Sequence, residues 1–344
     1  MRKDNSADRF CRFDREDIVY VNVLEEPFRV HGLTHDGKQF IRLPEEVARN
    51  TNEGVALLFA NTAGGRVRFV TDSEYVAIHA EMTGIGKMGH FAPSGSAGFD
   101  LYADNVFTGT FVPPYDQKEG YDGILFFDGR KTRAVTVNFP LYSNVTALYI
   151  GLRKDAYLAA PAPYRRKTPV VYYGSSITQG GCASRPGLSY QSIVSRALDA
   201  DYLNLGFSGS CKAEDAMIRY LCTLEMSAFV YDYDHNAPDP AYLAATHEKL
   251  LRALRAAQSD LPVLLMSRPK FTLNEDDRRR LRVIETTYDR AQEAGDDNIL
   301  LLDGPTLMAL AGDEGTVDGC HPNDLGFFSM ASAVRMALEK LLPD

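Results

Sequence analysis

The sequence predicts an α/β fold with a five-stranded parallel sheet, preceded by an all-β sandwich of jelly-roll type. Residues 168–344 alternate short apolar runs with helix-length segments, a pattern that buries a parallel sheet between two layers of helices. Residues 1–160 instead carry short alternating runs separated by turns such as Ala63-Gly64-Gly65, Thr71-Asp72-Ser73 and Phe127-Asp128-Gly129. Between them, residues 159–167 read AAPAPYRRK, rich in proline and charge as linkers are.

In the first half, strands are expected at 28–30, 54–59, 67–70, 75–80, 98–102 and 135–139, with helical periodicity only around 43–50. In the second half they are expected at 169–173, 202–206, 228–233, 262–267 and 298–303. The helices between and after them fall near 188–198, 213–224, 240–257, 275–294 and 324–341. In a parallel sheet of this kind the site lies beyond the carboxyl ends of the strands, so the residues just after each strand matter most.

Composition narrows the function. Apolar residues make up 45% and charged residues 24% of the 344, so long disordered stretches are not expected. A net charge of −9 with no basic stripe argues against nucleic acid as partner. The N-terminal stretch MRKDNSADRF lacks the apolar core of a secretory signal, and no apolar run is long enough to span a membrane. The five cysteines, Cys11, Cys182, Cys211, Cys222 and Cys320, form no CxxC pair or zinc-like spacing. Reduced thiols in a cytoplasmic protein are expected, with neither metal nor organic cofactor.

Four loops carry chemistry. After the first parallel strand comes Gly174-Ser175-Ser176-Ile177-Thr178-Gln179-Gly180, where a serine between strand and helix can expose its hydroxyl and its backbone N–H together. After the second comes Asn204-Leu205-Gly206-Phe207-Ser208-Gly209-Ser210, whose glycines can aim a backbone N–H into a site. After the third, Asn236 offers an amide donor that stabilises developing negative charge without surrendering a proton. Beyond the fifth, Asp318-Gly319-Cys320-His321 can place a carboxylate on Nδ1 of an imidazole, leaving Nε2 as base. Nucleophile, donors, base and orienting acid make the set needed for acyl transfer.

The order Gly174-Ser175-Ser176, Gly209, Asn236, Asp318-Gly319-Cys320-His321 resembles the four blocks of the SGNH (GDSL-like) hydrolases over residues 168–344. Gly98-Phe99-Asp100-Leu101-Tyr102 resembles the Gly-x-Asp-Leu-Tyr motif of a β domain that accompanies one branch of them, in which related two-domain forms act on acetylated carbohydrates. The resemblance implies a flavodoxin-like hydrolase domain at 168–344 behind a β domain at 1–160. It implies Ser176 as nucleophile, His321 as base, Asp318 as its orienting acid, and an oxyanion hole from Ser176, Gly209 and Asn236. Two departures stand out: Ser175 replaces the usual aspartate before the nucleophile, and the third block reads Tyr233-Asp234-His235-Asn236 followed by Ala237.

The expected activity is hydrolysis of short-chain, foremost acetyl, esters of a carbohydrate or other small polar alcohol, the sequence having no obvious apolar lid. The rivals are a lipase or thioesterase on longer acyl groups, and a non-catalytic carbohydrate-binding protein. Arg185, His235 and Arg268 follow the strands and are candidate substrate contacts. Cys182, Cys211 and Cys320 read as small residues filling loop space. Asp100 and Tyr102 read as a buried structural motif, and the run at 276–282 as a solvated helix face. A β half beside the cleft is compatible with a homodimer.

Overall fold

The computed structural model describes Phe13 and residues 15–342; the charged N-terminal stretch and Cys11 lie outside the described residues. Two antiparallel sheets face each other in the first half. One runs in the order Ile18–Asn22, Val145–Arg153, Tyr75–Met82, Gly120–Phe126. The other runs Leu158–Ala159, Arg66–Thr71, Arg133–Asn138, Phe99–Ala103, Val106–Phe111, with Arg29–His31 added to the 66–71 strand. Alternation sets which face is buried. Val67, Phe69, Phe99, Leu101, Val135 and Val137 of one sheet share a core with Val76, Ile78, Ala80, Leu148 and Ile150 of the other. The hairpin joining Phe99–Ala103 to Val106–Phe111 turns on Asp104 and Asn105 at φ 50° and 64°, the left-handed pair that a two-residue turn requires.

Two expectations for this half change. Residues 54–59 are not a strand: Glu53–Leu58 is a helix, capped by the Asn52 side chain accepting from the Val55 N–H. A short apolar run has no decisive period. Here Val55 and Phe59 pack into the core of the parallel sheet while Leu57 stays 77% exposed, a one-sided burial that a helix satisfies. Among the described residues, four strands of five or more residues also escaped the pattern, at 18–22, 106–111, 120–126 and 145–153. The 106–111 and 120–126 strands hold glycine, threonine and exposed Val106, Phe107 and Phe126, so their alternation is weak.

The second half follows the expected alternation closely. Its five parallel strands lie in the order Ala200–Gly206, Arg166–Gly174, Ala228–Asp232, Val263–Met266, Ile299–Leu302. In chain order this is 2-1-3-4-5, the flavodoxin arrangement, with its switch point beside the first strand. Both faces are buried, so alternate residues serve different cores. Val170 and Tyr172 join the layer formed by Tyr190–Leu198 and Asp324–Leu341, while Val171 and Tyr173 join that of Asp215–Leu221, Pro240–Ala257 and Glu275–Glu293. Helix starts are written locally: Asp239 caps Pro240–Ala257, Asn274 forms a capping box, and Asn323 caps the last helix directly after the His321 loop.

The halves meet through arginines. Arg66 donates to the Tyr164 hydroxyl at 2.9 Å, pairs with Asp201, and lies 3.9 Å over the Tyr202 ring. Arg42 donates to the carbonyls of Leu58 and Gly206, at 2.7 and 2.5 Å. No described helix is long and apolar enough to cross a membrane.

Candidate active site

Ser176 opens a one-turn helix, Ser176–Gln179, immediately beyond the strand that ends at Gly174. Ser175 caps that helix, its hydroxyl accepting from the Ile177 N–H at 3.2 Å. The turn is packed tightly from two sides. A Cβ on Gly206 would lie 2.2 Å from the Gln179 nitrogen, and one on Gly174 would lie 2.3 Å from Thr178 Oγ1 and 2.6 Å from Asp232 Oδ1. Only glycine lets the neighbouring strand ends approach so closely.

The loop before the last helix brings Asp318 and His321 to this turn. Ser176 Oγ lies 2.9 Å from His321 Nε2, and His321 Nδ1 lies 2.8 Å from Asp318 Oδ2. The other Asp318 oxygen accepts from the backbone N–H of His321 at 2.7 Å and of Cys320 at 3.0 Å. Partial burial pushes the Asp318 carboxyl up, but these bonds from the imidazole and the two N–H groups outweigh it and bring the pKa down to about 2. A carboxylate held ionised this way keeps the proton on Nδ1 and leaves the Nε2 lone pair toward the serine hydroxyl.

The donor side is held by cross-loop bonds. Gly209 adopts φ +67°, with open space where a side chain would sit. The Asn236 amide donates one proton to the Phe207 carbonyl at 3.0 Å, which ties its turn to the Gly209 loop and leaves the second proton. Neither the Ser176 nor the Gly209 N–H meets a protein acceptor among the described residues.

His235 is held neutral beside Asn236. Burial, then the charges of Arg268, Lys270 and His321, push its pKa down to about 3. Its Nδ1 lies 3.7 Å from Cys320 Sγ, beneath the Asp318–His321 loop, and its Nε2 is buried without a partner. Arg185 and Arg268 are likewise committed inside the protein. Arg185 pairs with Asp100 at 2.9 Å, donates to the Tyr102 hydroxyl and stacks 3.7 Å over Phe107, so it joins the halves. Arg268 pairs with Asp276, Asp277 and Asp234. Asp100 and Tyr102 are buried at that seam, as a structural motif would be.

The 276–282 run is not wholly solvated. Asp277 and Arg280 are buried, and Arg280 donates to the carbonyls of Asp234, Ala237 and Pro238 at 3.0, 2.9 and 3.2 Å. It therefore holds the turn that carries Asn236. Helix periodicity could have flagged it, since positions 277, 280 and 284 share one face.

Other contributors were invisible to local pattern. Gln179 donates to Asn61 Oδ1 and the Leu141 carbonyl at 3.0 and 3.2 Å while accepting from the Ser208 N–H at 3.0 Å, joining the Ser176 turn, the β half and the Gly209 loop. Tyr142, also of the β half, donates to the Ser176 carbonyl at 3.1 Å. Asp232 ends the middle strand beneath Ser175, and burial pushes its pKa up to about 7. The Cys182 thiol is pushed up to about 12, again by burial, which makes it a poor nucleophile at neutral pH. Cys182, Cys211, Cys222 and Cys320 form no disulfide.

A flavodoxin-ordered sheet bearing these loops, behind an antiparallel β region, defines an esterase of the SGNH type. Residues 167–339 match the model of the GDSL-like Lipase/Acylhydrolase family, and the chain belongs to that family. Residues 18–158 match the model described as "N-terminus of Esterase_SGNH_hydro-type". Among solved structures, a protein of the GDSL-like lipase group from Bacteroides ovatus is 28% identical, with 94% of this chain and 98% of that one covered at a TM-score of 0.84. A salicylyl-acyltransferase from a tetracycline biosynthetic pathway is 20% identical, covering 96% and 99% at 0.77. An acetyl xylan esterase from the rumen bacterium Butyrivibrio proteoclasticus is 14% identical, covering 94% and 99% at 0.62. At such identities the last two show the fold alone. No curated protein matches the chain.

Proposed function

We propose that the chain hydrolyses short-chain acyl esters, acetyl foremost, of a carbohydrate or similar small polar alcohol, with Ser176 as nucleophile. The observation that carries this reading is the line of bonds from Ser176 Oγ through His321 to Asp318, at 2.9 and 2.8 Å. Ser176 Oγ attacks the ester carbonyl as His321 Nε2 takes its proton. The tetrahedral oxyanion is met by the N–H groups of Ser176 and Gly209 and by the Asn236 amide. His321 returns the proton to the departing alcohol. Water then attacks the acyl-serine by the same route, and the acid leaves.

The short acyl group is supported by the small and polar residues around the nucleophile: Gly181, where an added Cβ would lie 3.5 Å from the His321 ring, with Gly209 and Asn236. The acetyl xylan esterase among the structural neighbours suggests the carbohydrate. Two experiments test the reading. A fluorophosphonate probe should label the wild type and not Ser176→Ala; labelling that survives in the variant removes Ser176 from its role. Nitrophenyl esters from acetate to laurate, followed by acetylated xylose, should show acetate hydrolysed fastest; a maximum at long chains selects the lipase reading instead.

A further inference from the structure

Beside Ser176 three ligand-bearing side chains meet that ester hydrolysis does not use together. His90, Cys182 and His321 each present one donor atom, and the three atoms lie within 4.8 Å of one another. They come from separate segments: a loop of the β half, the turn after the nucleophile helix, and the base loop. We propose that this cluster binds a borderline-soft divalent cation of the zinc or cadmium class, and that occupation switches the hydrolase off. The effect on hydrolysis rests on the esterase reading; the ligand set does not.

The donor set selects the ion. Two imidazole nitrogens and a thiolate suit zinc and cadmium, and disfavour the oxygen-seeking calcium and magnesium. Three protein ligands leave the fourth tetrahedral position to water. Bonds of about 2.0 to 2.3 Å place such ligands about 3.5 Å apart, so the atoms need draw in by only about 1 Å. Cys182 gives up its proton to solvent on binding.

His321 makes metal and nucleophile rivals. Its Nδ1 proton is held by Asp318 at 2.8 Å, so Nε2 alone has a lone pair to offer. That lone pair is the one facing Ser176 Oγ at 2.9 Å. With an ion on Nε2, Asp318 becomes the outer carboxylate that orients a metal-bound histidine, an arrangement recurrent in zinc sites.

The other two ligands are held in place without being spent. The His90 imidazole is exposed, with its ring centroid 5.6 Å from that of His321, and it makes no hydrogen bond among the described residues. Its loop is pinned to the segment after Cys182. Ser94 Oγ donates to the Ser184 carbonyl at 2.7 Å, and a Cβ on Gly95 would lie 2.0 Å from the Ala183 carbonyl oxygen. Cys182 itself sits at φ +77°, a left-handed conformation that a non-glycine residue keeps only where its surroundings impose it.

The test titrates chelator-stripped wild type, His90→Ala, Cys182→Ala and Ser176→Ala with zinc and cadmium chloride by calorimetry. Hydrolysis of nitrophenyl acetate is followed in parallel for the active forms. The wild type should bind one ion per chain and lose activity in step with occupancy, recovering on addition of EDTA. Ser176→Ala should bind at least as tightly, because Nε2 no longer accepts from the hydroxyl. His90→Ala and Cys182→Ala should each weaken binding by about tenfold or more, and should move inhibition by the same factor relative to their own metal-free rates. No binding, or equal affinity in the wild type and both of these variants, overturns the proposal. A wild type that binds through His90 and Cys182 yet hydrolyses no ester when stripped keeps the metal site and discards the esterase reading.

Discussion

Two carboxylates, Asp318 and Asp100, each face a nitrogen donor at nearly the same distance, 2.8 Å to the His321 imidazole and 2.9 Å to the Arg185 guanidinium, in opposite settings. The Asp318 side chain is 35% exposed, and its pKa falls to about 2 under bonds from the imidazole and two backbone N–H groups. Asp100 is fully buried. Burial raises its pKa even though Asn138, Arg185 and the Gly187 N–H all donate to it. An open edge and three donated hydrogen bonds keep Asp318 charged beside the imidazole. Sealing Asp100 makes the pair intolerant of any change, which suits a contact that fixes how the two halves meet.

Breaking each side of this comparison should give distinct signatures. Ser176→Ala should reduce kcat/KM for nitrophenyl acetate by at least about 10⁴-fold, and adding His321→Ala should cost little more, because residues that act as one unit do not add. Asp318→Asn should lower kcat by about 10³ to 10⁴-fold with folding stability nearly unchanged, since the amide favours the wrong tautomer. Urea unfolding alongside the kinetics separates the two quantities. Arg185→Ala should do the reverse. Leaving Asp100 buried without its cation should destabilise the protein by about 3 kcal/mol in urea, with kcat per folded molecule largely kept. A large loss of kcat at full stability would return Arg185 to the substrate. Asn236→Ala should lower kcat by about 10²-fold, the scale of one oxyanion donor.

The smallest effect sharpens the comparison with a third carboxyl. Asp232 is buried, with its pKa raised to about 7, so the folded state binds a proton that the unfolded state has released above about pH 4. Its contribution therefore turns increasingly unfavourable as pH rises from about 4 to 7 and then levels off. Asp232→Asn should raise stability by on the order of 2 kcal/mol at pH 8 and far less near pH 4, as read from urea midpoints across pH. A gain independent of pH would mean that the carboxyl stays ionised throughout.

Legibility differed between the halves for a physical reason. The parallel strands are buried on both faces, so Val170-Val171-Tyr172-Tyr173 and Val263–Met266 are continuous apolar runs that sequence alone exposes. Sandwich strands such as 106–111 and 120–126 show a half-wet face, and their pattern fades into that of loops. The Glu53–Leu58 helix was lost the same way, because its apolar residues pack on the other half's core rather than on the sandwich beside it in sequence.

At the site, whatever depends on neighbours along the chain was already written in the residue order. That order placed Ser176 on a glycine-flanked turn and spaced Asp318 and His321 within one loop, a reach that three residues can span. The rest came from packing. It brought Ser176 to within 2.9 Å of a residue 145 positions away, turned Arg185 and Arg268 inward, and drew Tyr142 and His90 to the site from elements with no local sign of it. Bonds between distant segments form only where the packed cores bring those segments together, and no short window of sequence contains that arrangement.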